Sequence, residues 1–263
     1  MNYQEICLKV CDIAKQAVAF IRAERNKIAA HQVEVKSLNS LVTYVDKTSE
    51  KMLVEALQQL LPEAGFITEE ETINNKNENL SWIIDPLDGT TNFIHGVPCF
   101  SVSIALMANG EVVIGVIYEI NLDECFYAWK NGGAFLNGTK INVTTTKNLS
   151  DTLLATGFPY YDYERMQPYL NLLAELMEKT RGIRRLGSAA TDLAYVACGR
   201  FDAFYEYSLH AWDVAAGALI VQEAGGKVSD FKGGNDYIFG KEINASNGFI
   251  HQELSDIISK NFH

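Results

Sequence analysis

Between Tyr3 and Arg25 apolar residues recur every three or four positions, at Ile6, Val10, Ile13, Ala14, Ala17 and Phe20. That period predicts an amphipathic helix. Val33 and Val35 suggest a short strand, followed by a loop of Ser, Leu and Asn. Residues 41–46 lead into a second helix over about 48–61, closed by Pro62, with Asp46 or Thr48 as its cap. Gly65, Phe66 and Ile67 form a short apolar run that ends in Thr68 and the acids Glu69, Glu70 and Glu71. A solvated charge run is the ordinary explanation of such a triplet. Trp82, Ile83 and Ile84 read as a buried strand. Pro86 cannot continue a ladder of hydrogen bonds, so this strand is expected to stop at Asp85. Three β-branched, apolar runs follow at 100–107, 112–120 and 125–129, with Asn109-Gly110 marking a hairpin between the first two. Residues 1–149 therefore read as two helices and a mostly antiparallel sheet.

From about Ser150 strands and helices alternate. Strands are expected at 152–156, 182–186, 202–206, 227–229 and 243–245. Helices are expected at 163–179, 188–198 and 214–223, with a last one ending near Ser259. Such alternation implies a layered α/β arrangement over residues 150–263. No linker rich in Pro or Gly separates the two parts, so they should pack closely.

Composition narrows the class of function. The chain has 263 residues, 48% hydrophobic and 21% charged, as in ordinary globular proteins. Its net charge of −11 supplies no excess of Lys and Arg to neutralise nucleic-acid phosphates, so nucleic acid is not expected as the main partner. No stretch is long and apolar enough to span a bilayer, and residues 1–20 lack the pattern of a signal peptide. The five cysteines include no Cys-x-x-Cys, which suggests reduced thiols and a cytoplasmic protein. Cys7 and Cys11, one helical turn apart, read as core packing rather than a zinc site.

The chemistry is concentrated in Asp85-Pro86-Leu87-Asp88-Gly89-Thr90-Thr91-Asn92-Phe93. Two carboxylates close a buried strand, a glycine turn follows, and Thr90, Thr91 or Asn92 can cap the next helical turn. A hard cation and a phosphate oxygen could meet there. An ordinary turn would account for a lone Asp-Gly but has no need of both acids. Glu69 ends the preceding apolar run, and Asp213 opens a helix of small residues, Val214 to Ala218. N-capping explains Asp213 as well as metal binding does. Glu69, Asp85, Asp88 and Asp213 together would repel strongly without a cation. Mg²⁺ takes oxygen ligands and substrate phosphate, and would remove that repulsion.

The same stretch resembles the signature of the inositol monophosphatase family of Mg²⁺-dependent, Li⁺-sensitive phosphatases. Phe66 to Glu70 is similar to the family's Glu-Glu segment, with Thr68 where Gly is usual. Trp212 to Gly217 and Glu223 to Gly226 are similar to its second signature. The resemblance implies a layered αβαβα sandwich, usually a homodimer, and two or three Mg²⁺ per site. It implies Glu69, Asp85, the Leu87 carbonyl, Asp88 and Asp213 as metal ligands. Asp46, Glu69 and Thr90 would surround the attacking water, and the Gly89 and Thr90 N–H groups would hold the phosphate. Ser188, Ala189, Glu206 and His210 match substrate-side positions, and Lys36 matches a lysine beside the metals. The substrate would be inositol monophosphate or a related small polyol or sugar phosphate.

At the periphery simpler roles compete. Glu206 could be a rim charge and His210 a structural histidine, while Arg184 and Arg185 could be surface charges or clamp a second phosphate. Among rival functions, a haloacid-dehalogenase-like phosphatase needs Asp-x-Asp, and this chain has Asp85-x-x-Asp88. A 3′-phosphoadenosine 5′-phosphate phosphatase tends to carry Lys-Glu where Thr91-Asn92 stands here. Fructose-1,6-bisphosphate hydrolysis and a non-catalytic binding protein are the remaining alternatives.

Overall fold

The computed structural model describes residues 1–25, 27, 33–37, 40–73, 75, 77–159 and 162–262, with the backbone alone at 33, 35–37, 40 and 41. The chain begins with α1 (Tyr3–Glu24), a hairpin of β1 (Val33–Ser37) and β2 (Ser40–Thr43), and α2 (Tyr44–Leu60). Next come β3 (Gly65–Thr68), β4 (Leu80–Asp88), the short α3 (Thr90–His95), β5 (Ser101–Ala108), β6 (Glu111–Glu119), β7 (Glu124–Trp129), β8 (Gly133–Leu136) and β9 (Thr139–Ile141). The remainder is β10 (Leu153–Thr156), α4 (Met166–Lys179), β11 (Gly182–Arg184), α5 (Ala189–Ala197), β12 (Ala203–Tyr207), α6 (Ala211–Glu223), β13 (Lys227–Ser229), β14 (Glu242–Ser246) and α7 (His251–Phe262).

Among the described residues, β3 to β9 form one seven-stranded sheet in sequence order, parallel at β3–β4 and antiparallel elsewhere. A five-stranded mixed sheet has the order β11-β10-β12-β14-β13. The expected Asn109-Gly110 hairpin joins β5 and β6, with φ of 52° and 79° at the two turn residues. Both angles are positive, as a tight two-residue hairpin demands.

Three apolar cores fill the four interfaces between five layers. One face of the large sheet buries Trp82, Ile84 and Ile104 against Val10 and Ala14 of α1 and Leu53 and Leu57 of α2. Its other face, with Ile83, Ala105 and Ile117, meets Leu193 of α5 and Ala215 and Ile220 of α6. Those helices also cover Phe204 and Ala245 of the smaller sheet. The outer face of that sheet buries Tyr205 and Tyr207 against α4 and α7. The result is the αβαβα sandwich. α6 is apolar on all sides because it lies between two sheets. The five cysteines are unbridged, and no helix among the described residues is long and apolar enough to cross a membrane.

Among the boundaries that depart from the sequence expectation, two in the first half of the chain shape the site. β4 does not stop at Asp85 but runs through Pro86 to Asp88. α2 begins at Tyr44 rather than near Thr48, and its cap is Thr43.

Candidate active site

The site is built on an irregularity in β4. Asp85 pairs with Ser103 and Asp88 with Ser101, so three steps along β4 match two along β5. The extra residue is a β-bulge, and Pro86 sits inside it, where its missing N–H interrupts no regular ladder. In a regular strand residues three apart face opposite sides of the sheet. The bulge restores a common side, and Asp85 and Asp88 converge. Asp85 Oδ1 accepts the Leu87 N–H at 2.9 Å, which fixes the bulge from within.

Gly89 then turns the chain into α3. Its φ is 91°, and a Cβ there would lie 3.0 Å from the Cys99 carbonyl oxygen and 3.2 Å from that of Gly187. Only glycine fits this approach. Gly89 itself is the N-cap, not Thr90, Thr91 or Asn92 as expected. The polar side chains are otherwise engaged. Asn92 Nδ2 reaches the carbonyls of Cys99 (2.7 Å) and Leu186 (2.8 Å). Thr90 Oγ1 lies 2.9 Å from Asp46 Oδ1 and 3.0 Å from the Leu87 carbonyl oxygen.

Asp46 is held by the start of α2. It is the third helical residue, and its Oδ2 accepts from the Thr43 N–H (2.8 Å) and hydroxyl (2.6 Å). The acid thus closes a capping box rather than serving as the cap. Its other oxygen is left for Thr90. Asp213 occupies the corresponding place in α6, where its Oδ2 accepts the His210 N–H at 2.7 Å. α6 therefore starts three residues before Val214, where the sequence suggested, and Asp213 lies inside its first turn.

Asp88 receives the N-terminus of α5. Its Oδ2 accepts the Ser188 hydroxyl at 2.6 Å and the Ala190 N–H at 2.8 Å. Ser188 is also the N-cap of α5, accepting from Thr191 N–H at 3.2 Å. Ser188 and Ala189, matched by sequence to the substrate side, are both buried at the Asp88 carboxylate. Oxygens of Asp85, Asp88 and Asp213 all lie within 4.8 Å of one another. Burial pushes Asp85 and Asp213 well above the usual carboxylate range, and neighbouring acids push further. Burial raises Asp88 and Asp46 to about 6. The charge of Glu69, at the end of β3, adds to the rise at Asp46, Asp85, Asp88 and Asp213. Glu69 itself lies outside the tight trio. A divalent cation would relieve this crowding, and the oxygen-only donors suit a hard ion such as Mg²⁺.

The peripheral residues separate. Glu206 is buried in β12, not a rim charge, and a Cβ on Gly157 would fall 2.0 Å from its carboxylate. Burial drives its carboxyl well up, and Asp192 and Asp213 drive it further. His210 is half-buried and stacks on Trp212 at 4.6 Å between ring centroids. Arg184 is exposed and donates to the Ile183 carbonyl. The Lys36 side chain lies outside the described residues. Sequence reasoning did not single out Asp192, a buried acid whose carboxyl is raised by burial and by Asp88. It also left Arg185 without a defined role, yet Arg185 lowers both Asp192 and Glu206 by its charge. Arg185 and Asp192 stand seven positions apart, before α5 and within it, but Glu206, the other acid that Arg185 acts on, lies 14 residues beyond Asp192 on β12.

A model of the inositol monophosphatase family matches residues 2–262. The chain is 42% identical over 230 residues to an inositol-1-monophosphatase of Mesorhizobium japonicum, covering 87% of this chain and 86% of that protein. It is 41% identical over 240 residues to the Nus factor SuhB of Escherichia coli K12, covering 88% and 90%. The crystal structure of the extragenic suppressor protein SuhB from Bartonella henselae superposes with a TM-score of 0.91 at 39% identity, over 99% of both chains. With the fold, the bulged acid pair and a match over nearly its whole length, the chain belongs to the inositol monophosphatase family.

Proposed function

We propose that this chain is a Mg²⁺-dependent phosphomonoesterase for inositol monophosphate or a related small polyol or sugar phosphate. The observation that carries the reading is the Asp46–Thr90 pair beside the convergent Asp85, Asp88 and Asp213. Those three acids, with Glu69 and the Leu87 carbonyl, would hold two or three Mg²⁺. Bound there, Mg²⁺ supplies positive charge against the phosphate and lowers the pKa of water.

The protein's own groups do the positioning. The Gly89 and Thr90 N–H groups, at the start of α3, receive the phosphate oxygens. Thr90 Oγ1 donates to Asp46 Oδ1 and so turns a lone pair toward the attacking water. Glu69 accepts the water's proton, and Asp46 steadies Thr90 as it does so. Little covalent work is required of a phosphoryl-transfer site beyond such alignment. Glu206, His210 and the α5 N-terminus with Ser188 and Ala189 line the side from which a polyol would bind. Li⁺ should inhibit, and a homodimer is expected, on family grounds.

The test is turnover with and without Mg²⁺ on a panel of inositol monophosphates, fructose 1,6-bisphosphate and 3′-phosphoadenosine 5′-phosphate. Mg²⁺-dependent hydrolysis with the highest kcat/KM for an inositol monophosphate supports the reading. Preference for either bisphosphate would move the chain to another branch of the superfamily, and absence of turnover would remove the enzyme reading. The 41% identity to a relative named as a Nus factor favours a second reading, that this chain too acts as a Nus factor. It would concern an outer surface, and an Asp88→Asn variant that keeps that role without turnover would separate the two.

A further inference from the structure

α2 sends a second buried acid toward the site. Glu50 lies one helical turn beyond Asp46, on the same face, and is fully buried. Its Oε2 accepts the Glu70 N–H at 2.8 Å. Its Oε1 accepts the Thr72 N–H at 2.8 Å and the Thr72 hydroxyl at 2.7 Å. The two N–H donors flank Glu71, whose φ of 51° lies in the left-handed region that a side chain disfavours. One carboxylate therefore spans a turn that the local sequence does not favour by itself.

The turn begins at Glu69. On the sheet side the Glu69 N–H donates to the Ile84 carbonyl at 3.3 Å, tying the residue to β4 just before Asp85. Glu69 is thus gripped between β4 and a turn that α2 clamps. Leu53 and Leu57 fill the core from this same helix, and burying a carboxylate among them is unfavourable unless its oxygens are satisfied. Three donors satisfy it, and charge-assisted bonds of this kind are strong and directional. Glu69 and Glu70 are consequently half-buried in a built corner, and of the three acids only Glu71 is exposed.

We propose that Glu50 is a positioning residue that sets the Glu69 carboxylate toward the cation site. α2 then orders two parts of one site: Asp46 holds Thr90, and Glu50 holds Glu69. The inference rests on the Mg²⁺ reading above.

The test measures Mg²⁺ binding calorimetrically on the full chain without substrate, for wild type, Glu50→Gln, Glu69→Gln and the double variant. Glutamine keeps the size of Glu50 but replaces one accepting oxygen with a donor. Glu50→Gln should weaken Mg²⁺ binding roughly 10-fold, as loss of a partner that orients a ligand commonly does. Glu69→Gln should weaken it at least as much. Because Glu50 acts through Glu69, the double variant should be no weaker than Glu69→Gln alone. A clamp that only stabilises the fold would lower the melting midpoint and leave Mg²⁺ affinity unchanged. Unchanged affinity in Glu50→Gln with reduced affinity in Glu69→Gln overturns the proposal, as do fully additive losses. Unchanged affinity in Glu69→Gln would instead sink the cation reading of Glu69, and the proposal with it. Should Glu50→Gln not fold, Thr72→Val removes one donor hydroxyl without entering the core, and full Mg²⁺ affinity there overturns the proposal equally.

Discussion

Thr90 Oγ1 and Asp46 Oδ1 stand 2.9 Å apart across 44 residues of sequence. The contact joins a helix start on one layer to the turn after β4. It offers the Thr90 hydroxyl proton an acceptor in Asp46 Oδ1. Thr90→Ala should therefore lower kcat by roughly 100-fold or more, the scale of a lost proton-handling group. Mg²⁺ affinity should stay within about threefold, because no carboxylate is removed, whereas loss of a ligand that carries charge costs far more. Thr90→Ser, which keeps the hydroxyl, should recover most of the rate. Single-turnover kinetics with calorimetric Mg²⁺ titration distinguish these outcomes. If Thr90→Ala lost rate and metal affinity in parallel, Thr90 would be a structural element of the cation site.

Glu206 occupies the space that Gly157 leaves empty and is reached from the polyol side in the reading above. Glu206→Ala should raise KM for a polyol phosphate by about 10-fold with kcat nearly kept, as removal of uniform binding does. A small aryl phosphate, which has no hydroxyls to offer, should be almost unaffected. Equal changes for both substrates would make Glu206 a structural residue.

His251 supplies a pH dependence remote from the site. Its ring is buried between Ser246 Oγ (2.8 Å from Nδ1) and Ser229 Oγ (3.1 Å from Nε2). Burial lowers its pKa from an ordinary 6.5 to about 4, with the Lys227 charge adding to the fall. Between those values the unfolded chain binds a proton that the folded chain refuses. Stability is then complete above about pH 6.5 and declines as pH falls toward 4, by up to roughly 3 kcal/mol from this group. Urea denaturation at pH 7.5 and 4.5 should show wild type losing more stability than His251→Gln over that interval. A difference between the two proteins that does not change with pH would contradict the assignment.

The nucleophile is the sharpest point of the mechanism. Direct attack by water inverts the configuration at phosphorus, whereas an aspartyl-phosphate route, with two displacements, retains it. Hydrolysis of a chiral, isotopically labelled phosphate ester should give inversion. Retention, or a trapped phosphate on Asp85, would restore the nucleophilic-aspartate alternative.

Much of the site is legible in the sequence because its acids sit where apolar runs end. Asp85, Asp88 and Glu69 each follow buried β residues, and that rule needs no knowledge of the fold. The bulge in β4 was not legible. Pro86 signals that regular pairing fails, but whether the strand ends or absorbs an extra residue depends on Ser101 and Ser103 across the sheet. The starts of α2 and α6 were misplaced for a related reason. Asp46 and Asp213 are good caps by type, yet each serves three residues inside the helix by reaching back to the cap backbone. The αβαβα order was readable from the change of pattern near Ser150 together with the family signature. The hold of Glu50 on residues 70–72 spans 20 or more positions, and only packing brings those groups together.

In the Mg²⁺ reading, the grip of the α5 N-terminus on Asp88 would make ion binding a folding equilibrium as well as a local one. Asp88 belongs to the large sheet, while Ser188 and Ala190 begin the helix that joins that sheet to the smaller one. Any opening that lifts α5 away leaves Asp88 without its donors and disperses the trio. An ion that binds only the closed arrangement must then resist that opening, by an amount set by its concentration relative to its dissociation constant. Hydrogen exchange at the amides of 189–191 should therefore slow as Mg²⁺ is added, with no substrate present, making protection of this helix end a direct gauge of ion occupancy.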